Sequence, residues 1–99
     1  MIMAKVFEFK SIGDLKHKVE GKDLQISIEV FNQIKKAFYS KVKHKKVTAF
    51  SAKLGSHNII DFVLERDQWK ISLNTCLDVF VRKEMYEECA IIRDMLNKL

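Results

Sequence analysis

The sequence predicts an α+β domain, in the order β-α-α-β-β-α-α, with a small antiparallel sheet packed on helices and an αα-hairpin at its end. Three observations lead there. VTAFSAKL, GSHN and IIDFVLE form two alternating apolar runs joined by turn residues, the pattern of a β-hairpin. From Asp67 to Leu99 the apolar spacing is helical, with one jump of register. Ahead of the hairpin, helical spacing follows one short apolar run.

The elements follow in order. AKVFEF, residues 4–9, reads as a first strand. Ser11 is a candidate N-cap with Asp14 three positions on, a variant of the capping box. Ile12, Leu15 and Val19 then mark a helix over 12–20, and Gly21 stands where a terminating glycine belongs. DLQISIEVFNQIKKAFYSKV is ambiguous. Leu24, Ile26, Ile28 and Val30 alternate as in a strand, yet Leu24, Ile28, Phe31, Phe38 and Val42 share a helical stripe with Ile34 beside it. The length and the lysines favour a helix from about 25 to 42.

In the hairpin, Thr48, Phe50, Ala52 and Leu54 are expected on one face, with Ile60, Phe62 and Leu64 together on theirs. Asp67 is the expected N-cap of the next helix. Trp69, Leu73, Cys76, Leu77, Phe80 and Val81 form its apolar face, and Met85, Cys89, Ile92, Leu96 and Leu99 that of the last helix. The change of register near Met85–Tyr86 predicts a tight corner between them.

Ninety-nine residues, 47% hydrophobic with seven Phe, build one domain over 1–99 with a small core. No apolar run nears the ~18 residues of a membrane span. MIMAKVFEFK meets charge too soon for a signal peptide. The expectation is a cytoplasmic chain with no membrane contact. Cys76 and Cys89 suit a reduced compartment as small buried hydrophobes; a bridge would need their Cα atoms within about 7 Å.

Charge divides the chain. Residues 1–57 hold twelve Lys against five acids, and 58–99 hold six basic residues against eight acids. A basic α+β part, 1–66, thus precedes a helical hairpin, 67–99. Fifteen of the eighteen basic residues are Lys and proline is absent, a bias that suits an AT-rich bacterial or phage genome. The tract KKAFYSKVKHKK places Lys35, Lys36, Lys41, Lys43, Lys45 and Lys46 around Phe38 and Tyr39. Lysines can displace counterions from a phosphate backbone, and aromatics can stack on unpaired bases. DNA or RNA is therefore a candidate partner, while a solvated lysine face at a helix C-terminus explains the same run without one.

His17, His44 and His57 have no carboxylate or nucleophile at a fixed spacing, and Ser56-His57 is explained by turn chemistry. Gly13, Gly21 and Gly55 are isolated, so no phosphate-binding loop is present, and nothing marks Asp61 and Glu65 as an acid-base pair. A non-enzymatic protein without cofactor or metal is expected.

Tyr86-Glu87-Glu88-Cys89-Ala90-Ile91-Ile92-Arg93-Asp94 resembles the second helix of the UVR motif, the helical hairpin of bacterial excision-repair proteins of the UvrB and UvrC type. That motif has an aromatic followed by Glu, a pair of small residues, an apolar position and then Arg-Asp. Leu73, Leu77, Phe80 and Val81 agree in register with its first helix. The resemblance covers about residues 70–99; Cys89 stands where the family more often has alanine, and Phe80 is larger than its usual counterpart. It implies a hairpin that binds another protein, or a second copy of itself as a homodimer, through Tyr86, Glu87, Ala90, Arg93 and Asp94. The chain would then be an adaptor or modulator of a larger machine, one that processes nucleic acid among the options. The alternatives are direct nucleic-acid binding through 35–46, and a phage-encoded inhibitor of a host protein.

Overall fold

A computed structural model describes residues 5–20, 23–55 and 58–99. Residue 4, Gly21, Ser56 and His57, to which the sequence assigns a strand start, a helix stop and a turn, lie outside the described residues. The described elements are β1 (Val6–Phe9), α1 (Ile12–Glu20), α2 (Leu24–Phe38), β2 (Lys46–Leu54), β3 (Asn58–Glu65), α3 (Arg66–Arg82) and α4 (Tyr86–Lys98). This is the expected order, ending in a helix pair.

The sheet has the order β1-β2-β3 and is mixed. β2 and β3 form the antiparallel hairpin, but β1 joins β2 parallel, from Val6 opposite Ser51 to Phe9 opposite Leu54. The expectation of an antiparallel sheet fails at this strand. α1 and α2 supply the long crossover that a parallel pair requires. The register of the hairpin shifts between Thr48 and Phe50, so Val47 pairs with Leu64, Thr48 with Val63 and Phe50 with Phe62. This bulge puts Thr48 on the face opposite Phe50, contrary to the simple alternation.

Phe50 stacks on Phe62 at 4.6 Å, and Phe7 meets Phe50 edge-on at 5.8 Å. With Phe9, Leu15, Ile26, Ala49 and Ala52 they form a core between the sheet and the first two helices. The opposite face of the sheet is open and shows Val6, Ile59 and Val63.

α1 begins as expected: Ser11 Oγ accepts the Asp14 N–H at 3.1 Å. Asp14 reaches back one residue further than a capping box, accepting the Lys10 N–H. Of its stripe only Leu15 is buried, while Ile12 and Val19 are exposed. α2 starts at Asp23, whose Oδ1 accepts the Ile26 N–H at 3.1 Å, and ends at Phe38, four residues before the expected stop. Val42 is consequently exposed in the following loop. Because α2 is covered on two sides, Ile26 faces the sheet core while Phe31, Ile34 and Ala37 join the helical core.

α3 starts ahead of Asp67, with the Glu65 N–H donating to Gln68 Oε1 at 2.9 Å. Trp69, Leu73, Cys76, Val79 and Phe80 of α3 pack with Cys89, Ile92 and Met95 of α4 and with α2. Fully burying each of the larger side chains contributes roughly 1.5–3 kcal/mol. Phe31 meets Phe80 edge-on at 5.4 Å, and the Cys76 thiol donates to the Ser27 carbonyl at 3.4 Å. The helical hairpin and α2 therefore share one core. Val79 and Met95 take inward places that the sequence stripes omitted, and Val81 is exposed. Both cysteines are free and buried.

The expected corner is a Schellman turn. The Glu84 N–H donates to Val81 O at 3.1 Å and the Met85 N–H to Phe80 O at 2.9 Å. Glu84 carries the left-handed φ of 57° that the turn demands.

Candidate functional site

α4 buries Cys89, Ile92 and Met95 and turns Tyr86, Glu87, Ala90, Arg93 and Asp94 outward, all five exposed. The Schellman turn fixes where this outer face begins. Tyr86 is 63% exposed, so this aromatic ring is not spent on closing the core beneath it.

The lysine-rich tract divides into three parts. On α2, Lys36 is exposed, while the Lys35 ammonium lies 5.1 Å above the Phe31 ring. Phe38 is half-buried against the helical core, because it sits seven residues after Phe31 on the inward stripe; it offers no free platform for a base. Tyr39 is exposed and meets Phe38 edge-on at 4.9 Å. Lys41, Lys43 and Lys45 lie exposed in the α2–β2 loop, and exposed Lys46 opens β2. Among the described residues no ion pair engages Lys36, Lys41, Lys43, Lys45 or Lys46.

One contact joins the two candidate surfaces. The Tyr39 hydroxyl donates to Asp94 Oδ2 at 3.1 Å, and Lys98 Nζ donates to the same oxygen at 3.2 Å. The hydrogen bond from Lys98, and then that from Tyr39, hold the Asp94 carboxyl below its usual range. Partial desolvation, and then the bond to Asp94, push the Tyr39 hydroxyl up.

An apolar groove of about 230 Å³, which no sequence pattern marks, lies between α2, α3 and the sheet, with Phe50, Phe62, Ile71 and Cys76 in its lining. Its residues come from separate elements, so no local spacing marks it. Burial pushes the Cys76 thiol up to about 12. His17 is exposed and His44 half-buried. Among the described residues no group of three or more His, Cys, Asp or Glu is placed to hold a metal ion, and no helix is long and apolar enough to cross a membrane.

No protein-family model, curated protein or solved structure matches the chain.

Proposed function

We propose that this protein is a small adaptor that docks a protein partner on the outer face of α4. The observation carrying this reading is the exposure of Tyr86 beside Ala90, Arg93 and Asp94, on the face opposite Cys89, Ile92 and Met95. An exposed aromatic next to an Arg is the kind of anchor on which interfaces concentrate their energy. The resemblance to the UVR motif rests on the same residues and supports the same use.

Deleting the hairpin is a poor test, because α2 would lose the partners of Phe31, Ile34 and Ala37. Point variants of the full chain are better. Tyr86→Ala with Arg93→Glu should keep the circular-dichroism spectrum and lose the proteins that the unaltered chain captures from nuclease-treated extract. Undiminished capture by the double variant would refute the reading.

A second reading, direct binding of nucleic acid, is favoured by the lysines of the α2–β2 loop, which are exposed and without ion pairs among the described residues. Replacing Lys41, Lys43, Lys45 and Lys46 by Gln should weaken binding and flatten its salt dependence. A gel shift without DNA or RNA binding at low salt would dispose of it.

A further inference from the structure

We propose that the outer edge of β3 takes a further strand, an extended segment of another protein in which a Lys or Arg stands between two apolar side chains. This surface is built from elements other than α4 and goes beyond the docking face described above.

β3 closes the sheet order β1-β2-β3, and an antiparallel ladder engages only alternate residues of an edge strand. The other residues turn their N–H and C=O groups away from the sheet. At the end of the strand these groups are spent: the Leu64 carbonyl accepts from Trp69 Nε1, and the Glu65 N–H donates to Gln68 Oε1. Among the described residues, no backbone bond other than the ladder to β2 reaches residues 58–63.

Exposed edges are ordinarily blunted by shortness, by lysine or proline, or by a bulge. β1, at the other edge, is four residues long with Lys5 and Lys10 beside it. β3 has eight residues, no lysine and no proline, and the extra residue at the register shift belongs to β2.

Beneath this edge the helical layer is open. Two grooves, of about 230 Å³ and about 300 Å³, share Val19 and Phe62 in their linings. Ile71 of α3 borders the first and Ile12 of α1 the second, and these side chains are 70% and 69% exposed. A strand laid ~4.8 Å from β3 turns alternate side chains, ~6.7 Å apart, toward the face that carries Phe62. Apolar side chains there cover Phe62, Ile71 and Ile12, a contact that three strands leave unmade.

The residue between them points to the opposite face, where Asp61 stands. Asp61 Oδ1 accepts the Ser51 hydroxyl at 2.6 Å, which fixes the carboxylate, and among the described residues nothing bonds Asp61 Oδ2. A Lys or Arg laid across from Asp61 makes a favourable cross-strand pair. The same charges argue against a second copy as the occupant. β3 carries Asp61 and Glu65 and no basic residue, so two β3 strands side by side gather all their carboxylates on one face.

The test uses the full chain with short, end-blocked fluorescent peptides. A peptide of alternating Ile and Lys should bind and shift the backbone NMR signals of residues 58–63. A peptide of alternating Ile and Glu should bind at least about ten-fold more weakly. Asp61→Asn, which keeps an oxygen for Ser51, should narrow that gap. N-methylation of one alternate set of peptide amides should abolish binding and of the other set preserve it, because only one edge of the peptide meets β3. Tyr86→Ala with Arg93→Glu should leave binding unchanged, so the β3 edge and the α4 face can fail separately. Equal effects of the two methylation patterns, signals that shift only away from β3, or no binding of the Ile and Lys peptide would overturn the proposal. A dimer in sedimentation, with β3 amides protected before any peptide is added, would overturn it in favour of a second copy.

Discussion

Tyr39 and Asp94, fifty-five positions apart, meet through a hydrogen bond of 3.1 Å that ties the end of α2 to the outer face of α4. The bond stabilises the ionised carboxylate and the neutral phenol together. Since the Asp94 carboxyl is lowered, its contribution to stability is present above about pH 4 and is lost as pH falls through the lowered value. Since the Tyr39 hydroxyl is raised, its contribution is complete below about pH 10 and is lost as pH rises through the raised value. Asp94→Ala should bring the Tyr39 titration, followed by NMR at the ring carbon bearing the hydroxyl, down toward 10. An unmoved midpoint would show that the bond does not form in solution.

The Cys76 thiol gives a second pH dependence. Its folded value of about 12 lies above the ordinary 9.0, so its contribution is complete below pH 9 and is lost as pH rises toward 12. Over that interval this group alone lowers stability by up to about 1.4 kcal/mol per pH unit. At pH 8 a thiolate-seeking reagent should label Cys76 only as fast as the chain opens, and urea should speed the labelling. Rapid labelling without denaturant would contradict its burial.

Glu84 holds a left-handed conformation at the α3–α4 corner, where a side chain is strained and glycine is not. Glu84→Gly should raise stability by about 1 kcal/mol, read as a higher urea midpoint with an unchanged slope. A lower midpoint would mean that the Glu84 side chain makes a stabilising contact.

Phe80 and Tyr86, six residues apart, should respond in opposite ways. Phe80 is fully buried against Phe31, so Phe80→Ala should cost about 3–5 kcal/mol, much of the stability expected of a small domain. Tyr86→Ala should change stability by no more than about 0.5 kcal/mol, as befits an exposed side chain. Thermal or urea unfolding of the two variants distinguishes a core position from a surface one.

What could be read from the sequence followed from local rules. The Ser11 cap, the hairpin and the corner before Tyr86 each depend on neighbours in the chain. The parallel placement of β1 depends on where two helices carry the chain, which no local spacing encodes. The shift at Thr48 arose from an extra residue in one strand, invisible to a count of two. α2 looked ambiguous because it is buried on two sides, and such a helix shows more apolar positions than one stripe can hold. The outer residues of α4 were legible as those left over from the buried stripe. The grooves beneath β3 were not, since their walls come from three helices and the sheet.

The parallel strand also bears on the order of assembly. β3 follows β2 after only three residues, whereas β1 spans only Val6–Phe9 and meets Ser51 after the chain has passed through two helices. Closing that long loop for a few ladder bonds gives a late step in folding and an early step in opening. Amide hydrogens of Val6–Phe9 should exchange faster than those of the β2–β3 ladder. Each time β1 detaches, the long central strand is bared along one edge, and an extended segment of another chain could pair there.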